Sequence, residues 1–185
     1  MKRRQINFEK FHSQLDLPFL ETDSKLINEI FRILQNKFGL VSNSKQRLID
    51  LGAGNGSIVI FAALNLNIKS YGIEINQELI NEANSRIRSL KKEGNYKKRL
   101  FRNIKLRFGN FYLLNLNNYD YIYIYSLPSM HKYLKHVFST AKNEAIFISH
   151  KYPLVGFESF LKNEYRLEHE IAQQKLYTFF YKKIA

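Results

Sequence analysis

Between residues 25 and 38 the apolar positions Leu26, Ile27, Ile30, Phe31, Leu34 and Phe38 recur every three or four residues, which lays them along one face of a helix. Thr22 or Asp23 stands where an N-cap belongs, and Gly39 follows the end. The period then changes. Residues 47–51 read as a short strand, 57–64 as a buried helix and 68–75 as a second strand. Asn76 caps a helix whose stripe is Leu79, Ile80, Ala83, Ile87 and Leu90. Residues 103–108 and 119–125 give strands three and four, 131–140 a helix and 144–150 strand five. Strands that alternate with helices predict a parallel sheet covered on both faces. The last third differs: after a short helix near 158–162, residues 165–171 and 175–183 read as two strands joined by a tight turn. The expectation is therefore an α/β protein with a seven-stranded, mostly parallel sheet that ends in an antiparallel hairpin.

At 185 residues the chain suits one domain, read as a leading segment and helix over 1–40 and a core over 45–185. Cysteine is absent, which removes disulfides, thiolate metal sites and a cysteine nucleophile together. Among the five histidines, His131 and His136 lie five apart and would not share a helix face, while His12, His150 and His169 stand alone. Metal-ligand spacing is missing, so no catalytic metal is expected. The longest apolar runs, such as 58–64, are far shorter than the roughly 20 residues that cross a bilayer. The basic start Met1-Lys2-Arg3-Arg4-Gln5 leads into polar residues rather than an apolar signal core, and the expected location is the cytoplasm. A formal charge of +13 draws acidic partners, nucleic acid among them. The densest basic stretch is Lys91, Lys92, Lys97, Lys98, Arg99, Arg102, Lys105 and Arg107, with Tyr96 and Phe101 interleaved. Because basic runs carry little specificity, a solvated loop is preferred there over a nucleic-acid surface.

The most informative run is Leu48-Ile49-Asp50-Leu51-Gly52-Ala53-Gly54-Asn55-Gly56, between the first strand and its helix. Glycines there let the backbone turn sharply and a ligand come close without a Cβ in the way. Tyr71-Gly72-Ile73-Glu74 adds a carboxylate at the end of strand two, about 20 residues on, where it can accept ribose hydroxyls. The dinucleotide fingerprint places its third glycine one position later, at Ser57, and leaves the Asp50 position apolar. An acid just before the turn suits a ligand with an ammonium group and no pyrophosphate.

With Gly109-Asn110-Phe111 after strand three, these residues resemble motifs I, II and III of the Rossmann-like, seven-stranded S-adenosylmethionine-dependent methyltransferases. The resemblance covers most of the chain. It implies S-adenosylmethionine as cofactor, with Asp50, Gly52 and Gly54 along its methionine and ribose, Glu74 on the ribose hydroxyls and Asn110 and Phe111 flanking adenine. Ala53, Gly56, Ile75 and Ser126 complete the implied lining. More particularly, Pro18-Phe19-Leu20-Glu21-Thr22, Asn110-Phe111 and Ile148-Ser149-His150 with Phe157 resemble the small archaeal protein lysine methyltransferases. Their mitochondrial relatives, which modify the ATP synthase c-subunit and the adenine nucleotide carrier, share the pattern. In that family an aromatic after proline and a small hydroxyl residue close over the cofactor, here Phe19 and Thr22. The chain departs from it with Leu20-Glu21 in place of Val-Pro and with a tyrosine-rich strand four.

The acceptor is narrowed by exclusion. Enzymes acting on exocyclic base amines or glutamine amides commonly carry Asn/Asp-Pro-Pro-aromatic after strand four; this chain has Ser126-Leu127-Pro128-Ser129. Without cysteine, carbon-5 pyrimidine methylation through a covalent adduct is out. A lysine amine needs only to lose one proton, at a cost of roughly 4 to 5 kcal/mol near pH 7 that a dry, cationic site reduces. Substrate-facing candidates are Tyr125, Ser126, Ser149 and His150, because the carboxyl ends of strands form the crevice of an open α/β sheet. Phe157 is read equally as a wall of the substrate channel or as core. A protein bearing an accessible lysine is thus the first reading. RNA methylation through the basic segment and a binding module that has lost chemistry are the alternatives, the last opposed by the intact Asp50, Gly52, Gly54 and Glu74.

Overall fold

A computed structural model describes residues 22–171 and 174–184. The leading helix α1 (Ser24–Lys37) starts where Asp23 accepts the Lys25 and Leu26 amides at 2.8 and 3.2 Å, so Asp23, not Thr22, is the cap. Its inward stripe, Leu26, Ile27, Ile30, Phe31, Ile33 and Leu34, is buried. Then follow β1 (Arg47–Leu51), α2 (Ser57–Leu66), β2 (Lys69–Glu74) and α3 (Gln77–Glu93). A 3-10 turn (Lys98–Asn103) leads into β3 (Ile104–Phe108), and a second (Phe111–Leu113) precedes β4 (Tyr121–Ile124). Two single helical turns, α4 (Pro128–His131) and α5 (Lys135–Phe138), come before β5 (Ile146–His150), β6 (Leu161–Ile171) and β7 (Gln174–Lys183).

The seven strands form one sheet in the order β3-β2-β1-β4-β5-β7-β6, parallel except where β7 pairs antiparallel with β5 and β6. Alternate side chains of each strand serve opposite faces. Leu48, Tyr121, Tyr123, Ile146, Ile148 and Phe180 pack under α1 and the Ile58, Ala62, Leu66 side of α2. Ile49, Leu51, Ile122, Ile124 and Phe147 pack against Leu134, Val137 and Phe138 around α5, and against Leu154, Phe157 and Phe160. Ile60 and Leu64 join Ile87 of α3 and Phe101 in a third cluster. The tyrosines of β4 have a structural reason. All lie toward α1, where Tyr121 Oη donates to the Phe38 carbonyl at 3.0 Å and accepts from Gln46 Nε2 at 3.1 Å. Phenol rings there fill the space under α1 and satisfy polar groups at its far side.

Three expectations are corrected. The helix over 131–140 is broken into α4 and α5, because its amides bond three residues back, Tyr133 to Met130 at 3.0 Å and Leu134 to His131 at 2.8 Å, which tightens the turn. Its apolar face survives, since Met130, His131, Leu134, Val137 and Phe138 are still buried. The helix near 158–162 is a turn closed by Phe160 and Leu161 amides on the Phe157 carbonyl, and β6 begins at Leu161 rather than 165. Nor is the basic stretch over 91–107 a solvated loop. It spans the end of α3, a 3-10 turn whose Phe101 is buried against α2 and α3, and the edge strand β3.

Candidate active site

β1 drives its last residues into the centre of the sheet, and the chain must then reverse into α2 within five residues. Gly52, Gly54 and Gly56 do this at φ of 88, 51 and 79°, left-handed values that side chains with a Cβ resist. The Gly52 and Ala53 amides both donate to the Ile73 carbonyl at 2.9 Å, fastening the turn to β2. Contact there is close: a Cβ on Gly72 would lie 2.6 Å from the Ala53 Cβ and 2.5 Å from Leu106 Cδ2. Asp50, beneath the turn, is 3% exposed, and its Oδ1 finds no hydrogen-bond partner among the described residues. Burial, and secondarily the charge of Glu74, push its carboxyl well above the usual carboxylate range. A buried, unpartnered acid beside a turn without Cβ atoms fits the ammonium end of a ligand that carries an amino acid.

Glu74 is the brace of this arrangement. One carboxylate oxygen accepts the Gly54 amide at 2.8 Å, and the other accepts the Ile75 and Asn76 amides at 2.8 and 2.9 Å. Sequence reasoning assigned Glu74 to a ligand alone; its first work is to hold the glycine turn against β2. Ile75 is exposed at the rim. Asn110 caps the turn after β3 by accepting the Tyr112 amide at 2.9 Å. That places the half-buried Phe111 beside the first glycine, with its Cε1 3.8 Å from where a Gly52 Cβ would stand. Asp50, the glycine turn, Glu74 and Phe111 therefore surround one crevice.

The four substrate-side candidates do not share one surface. Tyr125 and His150 meet on the α1 side, ring centroids 4.7 Å apart and edge to face. Ser149 points to the other side and donates to the Tyr152 carbonyl at 2.7 Å. Ser126 is buried, and its hydroxyl has no hydrogen-bond partner among the described residues. His150 Nδ1 sits 3.0 Å from Thr178 Oγ1, and its ring stacks on His169 at 5.5 Å. Burial first, then His169 and Lys151, lower its pKa to about 4, so the imidazole is neutral at physiological pH. Phe157 is core, packed on Phe138 and Phe160.

Thr22 Oγ1 lies 3.2 Å from the Tyr123 hydroxyl, and Tyr123 pairs in register with Asp50, so the start of α1 reaches the crevice. Phe19 lies outside the described residues. Tyr123, Thr178 and His169 escaped the sequence reading. Strand alternation beside Asp50 could have found Tyr123; Thr178 and His169 depend on the pairing of β5, β6 and β7, which no local pattern encodes.

The family model of the ANTKMT methyltransferase domain matches residues 50–160, from Asp50 through the turn that precedes β6. A lysine N-methyltransferase of the ATP synthase c-subunit, from Caenorhabditis elegans, is 26% identical over 157 residues, covering 85% of this chain and 75% of that protein. A protein-lysine N-methyltransferase of Saccharolobus islandicus is 24% identical over 143 residues, covering 76% and 80%. Among solved structures, an RNA methyltransferase from Salinibacter ruber in complex with S-adenosyl-L-homocysteine superposes with TM-score 0.66 at 19% identity, over 89% of this chain and 94% of that one. Magnesium protoporphyrin IX methyltransferase from Synechocystis PCC 6803 gives 0.65 at 13% identity, over 96% and 92%. Such low identities across different acceptors speak for the fold alone. The family model spans more than half of the chain and includes the glycine turn, Glu74 and the ends of β4 and β5: this chain belongs to the ANTKMT methyltransferase domain family and is a methyltransferase.

Proposed function

We propose that this methyltransferase transfers the methyl group of S-adenosylmethionine to the ε-amine of lysine in protein substrates. Asp50 would hold the ammonium of the methionine part, with Gly52, Ala53, Gly54 and Gly56 giving backbone without obstruction. Glu74, with lone-pair capacity beyond its three amide bonds, would take ribose hydroxyls. Asn110, Phe111 and Ile75 would flank adenine; Thr22 and Phe19 would close the crevice, with Ser126 at its floor. When bound, the cofactor supplies an electrophilic methyl group on a positively charged sulfur.

The observation that carries the lysine reading is the aromatic lining on the proposed acceptor side, which holds one cation, Lys151, and no acid among the residues that act on Tyr125 and His150. Tyr125 and the neutral His150 face each other there, and among the described residues no amide or carboxylate pair of the kind a conjugated nitrogen requires stands against them. A primary amine has a free lone pair once it sheds one proton. Dry aromatic walls favour that neutral form, and orientation then supplies most of the rate. His150 is too weak a base at a pKa of about 4 to drive deprotonation, so it acts as a neutral wall, and the Lys151 charge beside it favours the neutral form of an incoming amine. Two relatives named as lysine methyltransferases support the same acceptor. The test is mass spectrometry of a protein extract incubated with the enzyme and S-adenosylmethionine. Methyl additions confined to lysines are expected; additions on other side chains alone would overturn the assignment.

A further inference from the structure

The sheet is covered unequally. On the side opposite α1, α4 and α5 lie over β1, β4 and β5, and the chain between β3 and β4 supplies only the 3-10 turn Phe111–Leu113 rather than a helix. β2 and β3 in consequence contribute no buried residue to this face. Its positions are Lys69, Tyr71 and Ile73 on β2 and Lys105 and Arg107 on β3, the lysines and arginine exposed and Tyr71 and Ile73 half-buried. Arg47 of β1 pairs with Lys69 and extends the row.

Four cations, Arg47, Lys69, Lys105 and Arg107, thus stand on one open sheet surface, and none is in an ion pair among the described residues. The neighbouring acid, Asp120, is taken by Lys142 at 2.5 Å and by the Arg47 amide. Between the cations sit two aromatic rings, Tyr71 and Tyr119, edge to face at 5.3 Å, with Lys105 Nζ 5.4 Å from the Tyr71 ring centre. Neighbouring strands are about 4.8 Å apart and same-face residues about 7 Å apart along a strand, so the charges form a regular grid rather than a flexible tail. Lys97, Lys98, Arg99 and Arg102 lie apart from it, in the 3-10 turn that packs on α2 and α3 beyond the other face of β3.

We infer that this open face of β2 and β3 binds single-stranded RNA. Fixed cations on a sheet take phosphates, and half-exposed tyrosines among them offer stacking surfaces that an acidic polypeptide would not use. The face adjoins the crevice at Ile73, whose carbonyl holds the glycine turn, but its cations are outside the proposed cofactor lining, and the inference holds whichever acceptor the enzyme uses.

The test is fluorescence anisotropy of the full chain with labelled oligouridylate across a salt series. Four phosphate contacts on a single strand give a slope of log affinity against log salt of about −3. The Lys105→Glu, Arg107→Glu double variant should lose roughly tenfold or more in affinity and about half of that slope. Lys97→Glu with Lys98→Glu, the same change in net charge off the face, should lose much less. Tyr71→Ala should lose about fivefold or more, the lower end for one stacked base; Tyr71→Leu replaces it if the melting temperature of the alanine variant falls. Equal losses from the two charge-reversal pairs would overturn the inference, since net charge alone would explain binding. So would unchanged affinity in the Tyr71 variants together with equal competition by polyglutamate, which would assign the face to an acidic polypeptide.

Discussion

Asp50 has a buried carboxylate oxygen that nothing in the described protein satisfies, and Glu74 nearby adds a like charge. Its ionised form is therefore disfavoured until a cation arrives. An ammonium group binds the ionised form, whose fraction grows with pH, so cofactor affinity should rise as pH climbs above the ordinary carboxylate range and then level off. Binding below that plateau should release a proton, measurable by calorimetry in buffers of different ionisation enthalpy. Affinity that stays flat, with no proton released, would remove Asp50 from the ammonium site. His150 titrates with the opposite consequence. Its folded pKa of about 4 lies below the unfolded value of roughly 6.5, so the unfolded chain takes up a proton first as pH falls. Stability present above pH ~6.5 should be lost between there and about pH 4, on the order of 3 kcal/mol from this group. Denaturant unfolding at several pH values should show a shallower loss for His150→Gln, which keeps a hydrogen-bonding group for Thr178; identical slopes would mean the imidazole is not held neutral.

Among the elements, the contact between the glycine turn and β2 does most to shape the crevice. Gly72→Ala would force a Cβ to within 2.6 Å of the Ala53 Cβ and 2.5 Å of Leu106 Cδ2; the leucine tip can turn aside, but Ala53 is fastened to β2 through its amide on the Ile73 carbonyl. A loss of about 1 to 3 kcal/mol in stability is expected from such overpacking. S-adenosylmethionine affinity should fall by a larger factor than in a core variant of equal stability, because the turn must lift from β2. Equal effects in the two variants would separate the turn from the binding site. Elements with a strong local signal were legible in the sequence: α1 by its apolar stripe, β1 by its run, and α3 by Asn76, which accepts the Glu78 amide at 2.8 Å. Where burial depends on distant partners the reading failed. Residues 131–140 have a helical apolar face yet follow tighter hydrogen bonds, and 158–162 has no terminal signal separating a turn from a helix.

For the whole molecule, the alternation of strands and helices made the parallel sheet legible, and the glycine-rich turn and Glu74 were legible as a pair that the Gly54 amide joins. The proposed acceptor side was legible only in part. Tyr125 and His150 do come together, but Ser149 faces away, because adjacent residues of a strand serve opposite faces of the sheet. Thr178 and His169 arrive from the C-terminal hairpin through register. The open face of β2 and β3 was legible in part: no helix reads between strands three and four, but which strands that leaves uncovered follows from the sheet order. The charge of +13 draws acidic macromolecules of every kind, so attraction alone cannot name the methyl acceptor. The deciding measurement is transfer of label from methyl-labelled S-adenosylmethionine to total protein and total RNA from the same cells, with wild-type enzyme and Asp50→Ala in parallel. Label recovered as methyllysine with wild type and absent with Asp50→Ala is the expected result. Label confined to RNA would contradict lysine methylation and make the acceptor a nucleic acid.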